Sequence, residues 1–270
     1  MRSGGRSAVD GPGSSDRPYA RGMSEAPSSH LFIVTGASRG LGRAIAEQLA
    51  AEPSALVLGL SRQTPPASFE QWACDLGEPR PVAERLRNWL AGFGPTRFAS
   101  AALINNAALV TEPRPLPEVD LAELSAAVRV GLEAPLLLTA AFLSETRGWA
   151  GVVRRVLHIS SGLGRRGMAS AGPYCAVKAG LDNLARAQAL EEALQPNGAR
   201  VCSLAPGVID TDMQVRLRSA DPAAFPDIGQ FEQMKREGQL AGPAQAAARV
   251  IAYLNRADFG DNPVGDVRDP

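Results

Sequence analysis

Lysine is almost missing from this 270-residue chain: Lys178 and Lys235 are the only two, and the other 26 of its 28 basic side chains are arginine. Histidine is as scarce, with His30 and His158 alone, and there are three cysteines, Cys74, Cys175 and Cys202. An odd cysteine count without C-x-x-C spacing argues against a disulfide framework. So few histidines, with no clustered cysteines, leave no zinc-type ligand set. Acidic and basic side chains balance at 28 each, so no net charge draws the chain towards nucleic acid or a membrane surface. Long apolar runs are absent too; the strongest, "APLLLTAAFL" at 134–143, is too short to cross a bilayer. What remains is an ordinary composition, 45% hydrophobic and 21% charged, expected in the cytoplasm and long enough for one large domain.

Residues 1–30 are rich in Gly, Ser, Pro and Arg and show no apolar period, so they are expected to be disordered. They lack the apolar centre of a secretory signal, and Asp10 and Asp16 disfavour a transit peptide. Met23 is an alternative start. Beyond this extension, short apolar runs alternate with helical patterns. Strands are expected at 31–35, 55–61, 69–76, 101–105, 152–161 and 199–207, with a short one near 264–267. Helices are expected at 42–52, 79–91, 118–147, 172–194 and 243–255. Repeated βαβ order predicts an α/β fold over 31–270: a single doubly wound Rossmann-type domain, with a mostly parallel sheet of about seven strands and helices on both faces. Ligands would bind at the carboxyl ends of the strands, with 208–240 as a lid.

"TGASRGLG" (35–42) joins the first strand to the first helix. Gly36, Gly40 and Gly42 permit a tight turn and close backbone approach, and the free N–H groups of the helix start favour a phosphate. An acidic residue at the end of the second strand would select a free ribose 2′-hydroxyl. This chain has Ser61 and Arg62 there, and Arg39 in the glycine loop; two guanidiniums suit a 2′-phosphate, hence NADP (NADPH) rather than NAD.

Tyr174 and Lys178, in "YCAVK", stand four residues apart and share one helix face. Of the three tyrosines only Tyr174 has this partner, and Ser161 lies thirteen residues upstream at the end of the fifth strand. A phenol titrates near 10. A cation about 4 Å away at an effective dielectric of about 20 is worth roughly 4 kcal/mol, or about three pKa units, enough to make a general acid. A compact, rotatable ammonium fits that task better than a planar guanidinium. His158, by strand alternation, faces away from this site.

"TGASRGLG", "CDL" (74–76), "NNAA" (105–108), "ISSG" (159–162), "YCAVK" and "PGVIDTDM" (206–213) together resemble the short-chain dehydrogenase/reductase family. The resemblance covers 31–267 and implies a Rossmann-type oxidoreductase that binds NADP through the loop residues Ser38, Arg39 and Leu41 with their flanking glycines. It implies further contacts from Asp75 and Leu76 to the adenine and from Asn105, Asn106 and Ala107 along the cofactor. Pro206, Gly207, Val208, Ile209 and Thr211 would hold the nicotinamide end. Ser161 would position a substrate carbonyl, Tyr174 donate its proton, and Lys178 bind ribose hydroxyls. The second half is similar to the sepiapterin reductase branch, with relatives acting on benzil-like diketones, which implies a pterin-anchoring role for Asp266. Homodimers or homotetramers through helices 118–147 and 172–194 are also implied. Two departures stand out: Ala108 replaces a family glycine, and Gly131 replaces an asparagine that helps hold water beside the lysine. A reductase of 3-oxoacyl thioesters or other alcohols and ketones, and a non-catalytic NADP-binding sensor, remain open.

Overall fold

The computed structural model describes residues 29–269, so the extension expected over 1–30 lies, except for its last two residues, outside them. Seven strands form one sheet in the order β3-β2-β1-β4-β5-β6-β7. They are β1 His30–Thr35, β2 Ala55–Ser61, β3 Glu70–Ala73, β4 Ser100–Asn105, β5 Val153–Ile159, β6 Arg200–Ala205 and β7 Val264–Asp266. Every pairing is parallel, so the expectation of a mostly parallel sheet becomes a wholly parallel one. The chain steps outward from β1 to β3, then returns to β4 on the other side. This reversal opens a crevice above β1 and β4.

Strand alternation sorts the core into two layers. Leu31 and Ile33 of β1 face helices α2 (Pro79–Ala91), α4 (Ala134–Thr146) and α5 (Gly172–Ala193), packing with Leu86, Phe142 and Ala185. Phe32 and Val34 face α1 (Gly40–Ala50) and α8 (Pro243–Leu254), packing with Ile45 and Val250. Because both faces are covered, the strands read as continuous apolar runs.

The single helix expected over 118–147 is divided. A 3₁₀ turn, Leu116–Glu118, precedes α3 (Leu121–Val128), which Asp120 caps by accepting from the N–H groups of Ala122 and Glu123. A widened π turn, Arg129–Glu133, then leads into α4. Pro135 has no N–H to return to Gly131, four residues back, and its ring crowds that carbonyl, so the turn opens there. The joined stretch Leu121–Thr146 is 26 residues, long and apolar enough to span a bilayer, but half of its apolar window is buried in the fold. Here it is a core helix. Beyond β6, α6 (Asp212–Arg218) and α7 (Ile228–Arg236) make up about half of the overhanging segment expected as a lid.

Candidate active site

A cleft of about 1540 Å³ lies over the carboxyl ends of the strands. A single small ligand usually takes about 300–1,000 Å³, so a dinucleotide and a second molecule can share it. The strands end earlier than the apolar runs suggested, which frees the residues that line this space. β5 stops at Ile159, leaving Ser160 and Ser161 beyond it, and β3 stops at Ala73, leaving Asp75 and Leu76.

The glycine loop is held by its neighbours. Gly36 is left-handed (φ +70°), and a Cβ there would lie 2.9 Å from Asn106 Nδ2; one on Gly42 would lie 2.4 Å from the Gly36 carbonyl. Asn106 Nδ2 donates to the Thr35 carbonyl at 2.9 Å, while Thr35 Oγ1 accepts from the N–H groups of Asn106 and Ala107. Gly40, also left-handed, meets only Thr211 Cγ2 at 3.8 Å, so the turn keeps open space in front of the start of α1. This is a cradle that fits a diphosphate at a helix N-terminus.

Ser38, Arg39, Leu41, Ser61, Arg62, Asp75, Leu76, Asn106, Ala107, Pro206, Gly207, Val208, Ile209 and Thr211 all line the cleft, as do Ser161, Tyr174, Lys178 and Asp266. Asn105 is the exception. As the last residue of β4 it alternates under the sheet, where Nδ2 contacts Thr139 Oγ1 at 3.1 Å and His158 Nδ1 at 3.2 Å. His158 is fully buried, as expected from its strand position, and its Nε2 meets Gln188 Oε1 at 3.0 Å. Burial pushes its pKa down to about 4, so it is neutral. Ser61 is buried and donates its hydroxyl to the Gln63 carbonyl at 2.7 Å, so it can offer a ligand only its lone pairs.

Tyr174 and Lys178 stand on one face of α5, with the Lys178 ammonium 5.5 Å from the centre of the Tyr174 ring. The Ser161 hydroxyl stands beside the phenol and favours its ionised form. Lys178 is 3% exposed and donates to the Ile159 carbonyl at 2.6 Å, which leaves two N–H groups for a ligand. The expected lowering of the tyrosine pKa is overturned here: desolvation pushes it up to about 12, against the pull of Ser161. Burial also pulls Lys178 down to about 8, opposed by Asp182.

Sequence reasoning missed Asp182, although i+4 from Lys178 was a usable signal. It is 1% exposed and accepts from Ser160 Oγ at 2.6 Å and Ser203 Oγ at 2.7 Å, while Arg165 Nε lies 3.6 Å from its other oxygen. Asp182 is therefore the buried countercharge behind the lysine. Asp266, expected to be open to a ligand, is held by Arg268 through both oxygens, at 2.7 and 2.6 Å. Gly131 also has a structural reason. A Cβ there would sit 2.5 Å from Val177 Cγ1, so Val177 fills the space an asparagine side chain would need.

A phenol, a hydroxyl and an ammonium at the mouth of a dinucleotide-sized Rossmann crevice define a class, a nucleotide-linked oxidoreductase acting on C–OH or C=O groups. The short chain dehydrogenase model matches residues 30–222, and the chain belongs to that family. It is 32% identical over 245 residues to a benzil reductase ((S)-benzoin forming) of Bacillus cereus, covering 87% of this chain and 96% of that one. To sepiapterin reductase of Rattus norvegicus it is 32% identical over 249 residues, covering 85% and 92%. Among solved structures, a Beutenbergia cavernae candidate NAD(P) dependent gluconate 5-dehydrogenase with bound NADP superposes with a TM-score of 0.74. That pair is 25% identical, with 89% and 95% of the two chains covered.

Proposed function

We propose that this protein is an NADPH-dependent carbonyl reductase for a ketone or 1,2-dicarbonyl. The convergence of Ser161, Tyr174 and Lys178 on one cleft carries the reading. A nicotinamide cofactor held in the cleft would supply the hydride. Ser161 orients the carbonyl by donating to its oxygen, and Tyr174, kept protonated by burial, gives that oxygen its proton. Lys178, pinned on the Ile159 carbonyl, keeps two N–H groups for ribose hydroxyls. Its charge counts most once the phenol has become phenolate. Arg62, without a partner among the described residues, supports 2′-phosphate binding, as does the NADP in the Beutenbergia structure.

Aromatic diketones are favoured over pterins, because Asp266, the carboxylate a pterin ring would need, is already bound by Arg268. Leu121, Val128, Leu136 and Leu190 lie exposed on the outer faces of α3, α4 and α5, with Leu194 exposed just beyond α5, and support a homodimer at least. Three free cysteines accord with the reducing cytoplasm. The test is oxidation of NADPH and NADH against benzil, sepiapterin and an acetoacetyl thioester. NADPH with benzil should be fastest; preference for the thioester would overturn the substrate reading.

A further inference from the structure

The charges lining the cleft are not balanced. Four carboxylates line it, and all are engaged. Asp75, beyond β3, accepts from the Gly77 N–H at 2.8 Å. Asp210 is paired with Lys235 and Arg218, Asp212 with Arg39, and Asp266 with Arg268. Of the five arginines in the lining, the guanidiniums of Arg62, Arg166 and Arg216 have neither an ion pair nor a hydrogen bond among the described residues. Arg62 follows β2, at the adenosine end. Arg166 lies in the loop that carries Ser161 from β5 to α5, and Arg216 lies on α6 in the overhanging segment. Both segments adjoin the Ser161 and Pro206–Thr211 parts of the cleft, whose lining also includes Met168, Leu217 and Phe231. This part of the cleft therefore offers two unpaired planar cations, an apolar wall and no unpaired carboxylate.

We infer that the substrate is a carbonyl compound carrying a carboxylate, which Arg166 and Arg216 receive while its apolar body lies against Met168, Leu217 and Phe231. The inference rests on the reductase reading and deepens it. A guanidinium fork matches the two oxygens of a carboxylate. Unpaired cations at the mouth of a cleft also concentrate anionic ligands there. A pterin, which needs a free carboxylate from the protein, finds the opposite charge.

Benzil and 4-carboxybenzil, nearly equal in shape and different in charge, test this. Each is titrated calorimetrically into NADP⁺-saturated protein and then assayed for NADPH oxidation. The carboxylate form should bind and turn over about fivefold better, the scale of two exposed charge pairs. In R166Q/R216Q that advantage should vanish with benzil unchanged, and R166K/R216K should keep part of it. Parity in the unmodified protein, or equal losses on both compounds in R166Q/R216Q, would overturn the inference. Weakened NADP⁺ binding in R166Q/R216Q would also overturn it, since the cofactor would then be the anion received. If the anion binds preferentially but no carbonyl compound is reduced, the anion site stands and the reductase reading falls.

Discussion

Gly131→Ala places a methyl group 2.5 Å from Val177 Cγ1, with Cγ2 and Cβ at 3.5 and 3.6 Å. Carbon atoms rest about 3.5–4.0 Å apart, so the overlap is about 1 Å. Val177 is 4% exposed and, being β-branched on a helix, has essentially one favourable rotamer, so it cannot turn aside. Such overpacking costs about 1–3 kcal/mol. Val177→Ala alone should cost about 1–2 kcal/mol through lost burial of two methyl groups. Together the changes should cost less than their sum by about 1–2 kcal/mol, because the new methyl enters the space that valine vacates. Equilibrium urea unfolding followed by tryptophan fluorescence reads all four corners of this cycle. A neutral Gly131→Ala, or strictly additive losses, would refute the claim that the two residues contend for one space.

Asp182→Asn removes the countercharge that raises the Lys178 pKa, so reduction should fail at lower pH. In the unmodified protein kcat/KM should fall as pH rises through about 8, where Lys178 loses its proton; in the variant that limb should move to lower pH. An unmoved limb would separate Asp182 from the lysine. The same shift has a stability sign. Unfolded Lys178 holds its proton to 10.5 and the folded form only to about 8, so this residue contributes stability that grows as pH rises between those values. Arg62→Gln should weaken NADPH binding about tenfold, the scale of one charge-assisted contact, and leave NADH unchanged. Equal losses for both cofactors, measured by fluorescence titration, would remove the 2′-phosphate assignment.

The sheet was legible because buried parallel strands are continuous apolar runs, and "TGASRGLG" marked the crevice because a phosphate turn needs its glycines. The break in the 118–147 helix was also written, in Pro135, but the apolar pattern runs through it unbroken. Val177 could not be linked to Gly131 from sequence, since that contact depends on how α5 crosses the π turn. Asn105 was misplaced for a related reason. It ends its strand, and one step of alternation decides between the cleft and the polar chain with Thr139 and His158. The pairing of Asp266 with Arg268 lies two residues apart, yet only the folded turn after β7 brings both oxygens onto the guanidinium. The tyrosine pKa went the wrong way because proximity to a cation was legible and burial was not.

The proposed NADPH-dependent carbonyl reduction depends above all on proton donation by Tyr174. NADPH oxidation with benzil, measured for the unmodified protein and Tyr174→Phe at matched cofactor occupancy, tests it most directly. kcat should fall about 10²–10⁴-fold with NADPH binding unchanged. Turnover undiminished in Tyr174→Phe would contradict it.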